Sequence, residues 1–216
     1  MIRNASAAAA PVESVPFVAV VDDDPAVREA LDSLFRSIGL ATRLFGTPAD
    51  LMSSPLPSAP GCIVLDVRLP GISGLDFQAH LVEHGVELPV VFMTGHGDIP
   101  MTVRAMKAGA IDFLAKPFRD QEMLDAVTAA IERDKRRRSA TAAREELRSR
   151  YETLSPRERE VMAHVVSGLM NKQVAGMIGL SEITVKIHRG NVMRKMGVRS
   201  LADLVRQAEA LGISKP

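Results

Sequence analysis

Aromatic residues are scarce in this chain: Phe, Trp and Tyr make up 4% of it, and Trp is absent. Any core must rest on Val, Leu, Ile, Met and Ala, and the 46% apolar content is enough to build one. A single cysteine, Cys62, excludes an internal disulfide. Because Cys62 lies inside an apolar run, it reads as a buried, inert thiol in a protein of the reducing cytoplasm. No apolar run approaches the roughly 20 residues needed to span a bilayer, so no membrane association is expected. Residues 1–14 are Ala-rich without the long apolar centre of a signal peptide, and they read as a disordered leader.

Net charge is also nearly absent, at +1 over 216 residues, but the balance hides a split. Residues 1–130 carry 9 Lys/Arg against 16 Asp/Glu, and residues 131–216 carry 18 against 10. At this length two domains are expected. The acidic half and the basic half suit different chemistries, and the basic half is a candidate for nucleic acid.

The first 130 residues alternate strand and helix. Phe17 to Val21 reads as a short buried strand, and Asp24 caps a helix that carries Pro25 at its first position and stops at Gly39. A strand over 42–45, a helix from Thr47-Pro48, a Pro- and Ser-rich loop over 53–61 and a strand over 62–66 follow. Then come a helix over 74–84, a strand over 89–94, a helix over 99–108, a strand over 110–115 and a helix from Asp120. Five βα units in a row predict a doubly wound, five-stranded parallel sheet. The last helix continues through the basic run Arg133 to Arg138 and on to Arg150. That stretch reads as a solvated helical connector, with contact to DNA phosphates as the alternative. From Leu154 the pattern is all helix. Ser155 and Glu158 form a capping box, a second short helix spans 171–178, a third runs from Ser181 to Met196, and a fourth spans 201–211. Two helices joined by a tight Gly-containing turn, the second basic, describe a helix-turn-helix.

Chemistry concentrates at the strand ends. The first strand runs into Asp22-Asp23-Asp24, the third ends in Asp66, the fourth in Thr94 and the fifth in Lys116-Pro117. In open α/β sheets that rim is where ligands bind. Carboxylates packed so closely would take up protons unless a cation shared them, and oxygen-only donors favour Mg²⁺ over zinc. A metal on Asp22, Asp23 and Asp66 would leave one carboxylate free to act as nucleophile towards a phosphoryl group. Lys116 would supply a charge, and Thr94 a hydroxyl, to the phosphoryl oxygens. Asp24 alone reads as an ordinary N-cap.

These motifs resemble those of two-component receiver domains. They are Val21-Asp22-Asp23-Asp24, Leu65-Asp66-Val67-Arg68-Leu69-Pro70-Gly71, Met93-Thr94-Gly95-His96 and Lys116-Pro117-Phe118. The stretches Thr94 to Met101 and Met106 to Phe113 are similar to the FixJ branch in particular. The resemblance implies a flavodoxin-like receiver over 15–131 whose Asp66 accepts phosphate from a histidine kinase. It implies Mg²⁺ held by Asp22, Asp23, Asp66 and the backbone carbonyl of Arg68, and a cis peptide before Pro117. It also implies a switch in which Thr94 moves toward the phosphate and Phe113 swings inward, repacking a face from Ile99 to Val127 that pairs two receivers. Phe113 has no hydroxyl, so only the steric part of such a switch is available to it.

Leu154 to Val161, Asn171 to Ala175 and Thr184 to His188 are likewise similar to LuxR-type helix-turn-helix domains. That match implies an all-α, four-helix DNA-binding domain over 151–216, after a helical linker over 132–150. Val185, Val192 and Met196 recur on one helix face and are expected in the core. The match sets Lys186, Ile187 and Gly190 toward base edges, Arg189, Arg194, Lys195, Asn171 and Lys172 toward phosphates, and Thr184 among the DNA-binding residues. The whole implies a cytoplasmic transcription factor, not an enzyme. It would be an activator that dimerises on phosphorylation, with promoter DNA and RNA polymerase as partners. Two other chemistries find partial matches in the sequence. His80-Leu81-Val82-Glu83-His84 fits the H-x-x-E-H pattern of a zinc peptidase, although Gly85 ends that helix at once. An aspartyl-phosphate phosphohydrolase would carry an acid two residues after its nucleophile, where this chain has Arg68.

Overall fold

The computed structural model describes residues 15–95 and 99–213. The expected leader, and His96, Gly97 and Asp98 of the FixJ-like stretch, lie outside the described residues. The chain divides into two compact units after Arg138.

The first unit is a five-stranded parallel sheet flanked by helices. Its strands are β1 (Phe17–Val21), β2 (Ala41–Phe45), β3 (Gly61–Asp66), β4 (Val90–Thr94) and β5 (Asp112–Ala115), in the order β2-β1-β3-β4-β5. The helices are α1 (Pro25–Ser37), α2 (Pro48–Ser53), α3 (Gly74–Glu83), α4 (Ile99–Lys107) and the opening turns of α5 (Asp120–Glu152). β1, β3 and β4 are buried throughout, and apolar up to the acid and hydroxyl that end β3 and β4, because helices cover both faces of the sheet. Alternate residues feed two cores. Val18, Val20, Cys62, Val64, Val91 and Met93 meet Leu31, Phe35, Met123 and Val127 on one side. Ala19, Val21, Ile63, Leu65 and Phe92 meet Leu51, Phe77, Leu81 and Ala105 on the other. Burial, with the Asp134 charge added, pushes the Cys62 thiol up, away from reactivity.

β5 is shorter than the expected run over 110–115. Gly109, at φ +92, closes α4. The amide of Ala110 is taken by the Ala105 carbonyl at 3.1 Å, so bonding to β4 begins only with the Ile111 amide on the Val90 carbonyl at 2.8 Å, and the strand spans Asp112–Ala115.

Part of the basic run is not solvated: Arg133, Lys135 and Arg136 are exposed, but Arg137 and Arg138 are half-buried. Asp134 is fully buried in α5, and its carboxylate accepts from the Gly61 amide at 3.0 Å, from Arg137 Nη2 at 2.7 Å and from Arg138 Nε at 2.7 Å. Arg137 also pairs with Glu87, and Arg138 donates to the Ser58 carbonyl at 3.1 Å. The sheet unit therefore extends past the boundary expected at residue 131, since two arginines of the run close over its floor.

In the second unit α6 (Pro156–Val166), α7 (Asn171–Ile178), α8 (Glu182–Met196) and α9 (Leu201–Ala210) enclose one core. It includes Val161, Met162, Val165, Val174, Val185, Val192, Met196 and Leu204. The Ser155–Glu158 capping box forms, with Glu158 Oε2 accepting from the Ser155 amide at 2.8 Å. Gly179 at φ +67 ends α7, and Ser181 caps α8 two residues later, which is the tight turn of a helix-turn-helix. No helix among the described residues is long and apolar enough to cross a membrane.

Burial works to raise the Asp134 carboxyl pKa, but the hydrogen bonds from Arg138, Arg137 and Gly61 outweigh it and hold it below the usual value. A depressed carboxyl stabilises the fold above its unfolded pKa of about 3.9, and that contribution is lost as pH falls through the folded value. Asp134→Asn should destabilise the chain by about 1–3 kcal/mol at pH 7, since it strands two guanidinium groups that are only about one-third exposed. Denaturation of both proteins at pH 7 and at pH 3 should show the gap closing in acid.

Candidate functional site

Two of the strand ends lie at the point where the strand order reverses, between β1 and β3. This is the rim position at which doubly wound sheets bind ligands. Asp22 follows β1 and Asp66 ends β3, with the register Val21 to Leu65 keeping them level. Asp23 turns outward beside them, and the three carboxylates each place an oxygen within 4.8 Å of the others. Among the described residues this is the only cluster of three or more acidic, His or Cys ligands. Gly74, at the start of α3, allows the helix to press onto the strand end: a Cβ there would sit 2.4 Å from the Asp66 carbonyl oxygen.

Lys116, from the loop after β5, reaches both inner acids. Its Nζ lies 2.6 Å from Asp22 Oδ2 and 2.9 Å from Asp66 Oδ2. The peptide between Lys116 and Pro117 is cis. Burial works to lower the ammonium pKa, yet the hydrogen bonds to Asp22 and Asp66 win and raise it. Burial, by contrast, dominates at Asp22 and raises its pKa even though Lys116 and the Asp24 amide both pull it down. One ammonium therefore does not fully offset the cost of charging this acid. A second positive charge at the cluster would, and a site of carboxylate oxygens suits a hard divalent cation such as Mg²⁺.

The remaining rim residues sit around these groups. Thr94 is fully buried, and its carbonyl accepts from the Lys116 amide at 2.7 Å. The Arg68 amide donates to Asp66 Oδ1 at 3.1 Å, which turns the β3–α3 loop back over the acid. Phe113 is half-buried, its ring centroid 6.2 Å from that of Phe92. Asp24 caps α1, accepting from the Ala26 amide at 2.8 Å. Arg28 was not anticipated: its Nη1 donates to the Asp22 carbonyl at 2.6 Å. The available signal was its place one turn into the helix that the acidic triplet opens. His80 and His84 lie close, with ring centroids 4.0 Å apart and planes tilted by 47°, but among the described residues no third ligand joins them.

In the second unit Val185, Val192 and Met196 are buried as expected, while Lys186, Ile187 and Gly190 are exposed. Thr184 Oγ1 lies 2.8 Å from Ser181 Oγ in the cap of α8. Lys172 is exposed; Arg189 donates to Asn171 Oδ1 at 3.1 Å and Arg194 to Asn191 Oδ1 at 3.3 Å. Lys195 departs from its expected role at a phosphate. Its ammonium turns inward, 2.6 Å from Glu158 Oε2 and 3.0 Å from the Thr153 carbonyl. Glu158 is buried, which works to raise its pKa, but the hydrogen bonds from Lys195 and the Ser155 amide lower it. A buried carboxylate left without that ammonium would be costly, so Lys195 serves the fold.

Residues 18–128 match the response regulator receiver domain family, and residues 152–208 match the luxR family of bacterial regulatory proteins. Nodulation protein W of Bradyrhizobium diazoefficiens is 60% identical over 91% of this chain and 87% of its own length. The transcriptional regulatory protein FixJ of Azorhizobium caulinodans is 46% identical over 94% and 95%. Among solved structures, the response regulator StyR matches with a TM-score of 0.83 at 47% identity, covering 91% of this chain and 99% of that one. Full-length FixJ from B. japonicum matches with a TM-score of 0.55 at 37% identity, covering 92% and 98%. Such families are DNA-binding transcriptional regulators rather than enzymes, which leaves the peptidase and phosphohydrolase readings without support. A receiver implies a cognate kinase, a luxR-family domain implies DNA, and receivers generally bind Mg²⁺ at an acidic pocket of this kind. With both domain families present in order, and relatives of the same build along almost its whole length, the chain belongs to the response regulators of the NarL/FixJ type.

Proposed function

We propose that Asp66 is the phosphoacceptor of a cytoplasmic two-component regulator whose output is DNA binding by the second unit. The observation that carries this reading is the Lys116 ammonium held between Asp22 and Asp66 at 2.6 and 2.9 Å. A carboxylate oxygen of Asp66 attacks the phosphorus of a phosphohistidine on the sensor kinase. The new P–O bond forms as the P–N bond breaks, and the released imidazole nitrogen takes up a proton. Asp22, Asp23, Asp66 and the Arg68 backbone carbonyl would hold Mg²⁺, which would supply a second positive charge to the phosphoryl oxygens. Lys116 then moves its charge from the free carboxylates to the phosphoryl group, and Thr94 donates its hydroxyl from the neighbouring strand end.

The readout in this proposal is dimerisation through the receiver, with Thr94 and Phe113 relaying the change to α4. The exposed apolar residues Ile99, Val103 and Met106 support it, since they follow one another at helical spacing on α4. Two copies then bind adjacent half-sites in promoter DNA and act as an activator through RNA polymerase. Lys186, Ile187, Gly190 and Thr184 face the bases, while Arg189, Arg194, Asn171 and Lys172 meet phosphates. Exposure of Lys186, Ile187 and Gly190 opposite the buried face of α8 supports that division.

Asp66→Asn should abolish phosphorylation by acetyl phosphate, seen as loss of the shifted band on a phosphate-affinity gel, and with it any phosphate-dependent gain in DNA affinity. A gain that survives the substitution would reject Asp66 as acceptor. Asp23→Asn should leave the fold intact and raise the Mg²⁺ concentration needed for half-maximal phosphorylation at least tenfold; an unchanged requirement would remove Asp23 from the metal site. Lys186→Ala should weaken binding to a selected site by about 1–3 kcal/mol, with little change on random duplex, if the side chain reads a base.

A further inference from the structure

Helix α8 carries two apolar stripes, and the domain uses only one. Val185, Val192 and Met196 face the core and are buried. Ile183 and Ile187 lie nearly opposite, 74% and 59% exposed, with Gly190 continuing their line one turn on. Residues at i, i+4 and i+7 of an α-helix share a face. A Cβ built at Gly190 would meet nothing within 4 Å, so nothing in the domain requires glycine there. A helix that needed only solubility and phosphate contacts would place charge on this face. This one flanks the line with Lys186 and ends it in Arg194, but leaves the first turns of the line uncharged.

We infer that the stripe Ile183–Ile187–Gly190 reads the 5-methyl groups of thymine in the major groove. This inference rests on the proposed DNA-reading role of α8 and adds the chemistry of the base that it reads. In the major groove thymine alone presents a methyl group, and apolar side chains recognise it by contact rather than by hydrogen bonding. Ile183 and Ile187 are about 6 Å apart along the helix axis at 1.5 Å per residue, a little less than two base-pair rises of 3.4 Å. The pair therefore fits methyl groups one or two steps apart in each half-site. Gly190 keeps the groove floor clear of a third side chain, so the helix can settle far enough for both isoleucines to touch. Ile183 is the member that the family pattern did not single out, and its exposure at the first turn of α8 is what adds it.

The test uses the full chain, treated with Mg²⁺ and acetyl phosphate, to select binding sites from a random duplex pool. Thymine should be enriched at two positions in each half-site. Replacing each of those thymines by deoxyuridine removes one methyl and leaves the hydrogen-bonding edges unchanged. Each replacement should weaken binding about fourfold, the factor expected for one buried methyl group. Ile183→Ala should erase the penalty at one position and Ile187→Ala at the other, each variant binding the uracil and thymine duplexes equally well. If sites are selected but uracil costs nothing, or costs as much in both variants as in the parent chain, the methyl-reading inference is overturned while the DNA-reading role stands. If no sequence is enriched at all, the DNA-reading role falls and takes this inference with it.

Discussion

An ammonium group held between two carboxylates organises the sheet unit. Lys116 arrives from beyond β5, passes the end of β4 and reaches acids that follow β1 and β3. That reach requires the strand ends to stay level, and so the sheet is parallel, apolar on both faces and clamped by helices on each side. The site is left with charge that is only partly offset, because burial still makes Asp22 harder to ionise than it would be in water. A pocket in that condition favours further positive charge, and only a cation bound there would make it receptive to an anionic group.

The same device recurs twice away from the rim. Asp134 and Glu158 are buried acids, each held by basic side chains that a sequence reading would assign to solvent or nucleic acid. Such pairs add modest net stability, but losing one partner leaves an uncompensated buried charge. Their effect is to pin particular segments. Asp134 ties α5 to the start of β3 through the Gly61 amide, and Glu158 ties the first turn of α6 to the last turn of α8.

Much of this is legible in the amino-acid sequence alone. The continuous apolar runs of β1, β3 and β4 announce strands covered on both faces, and the acids and lysine just beyond strand ends announce the rim. Caps were equally readable, since Asp24, Ser155 and Ser181 are polar residues placed immediately before amphipathic repeats. What escaped were contacts between residues distant in sequence. The fates of Arg137, Arg138 and Lys195 depend on acids that come near them only after folding. A local pattern cannot separate a lysine facing phosphate from a lysine facing a buried glutamate. The later start of β5 has a related cause: Ala110 is apolar enough for a strand but is taken by the closing turn of α4. The exposed isoleucines of α8 were visible as letters, yet only the packed domain reveals that its own core has no use for them.

The inward turn of Lys195 changes how the basic half should be counted. Counterions condensed on a duplex are released only by cations that reach its backbone, and the steepness of affinity against ionic strength measures how many do. With this ammonium neutralised by Glu158, and Arg137 and Arg138 spent on Asp134, the surplus of basic residues overstates the grip on DNA. Fewer cations are then left to displace those counterions than the composition suggests, and the dependence of DNA affinity on salt should be correspondingly shallower.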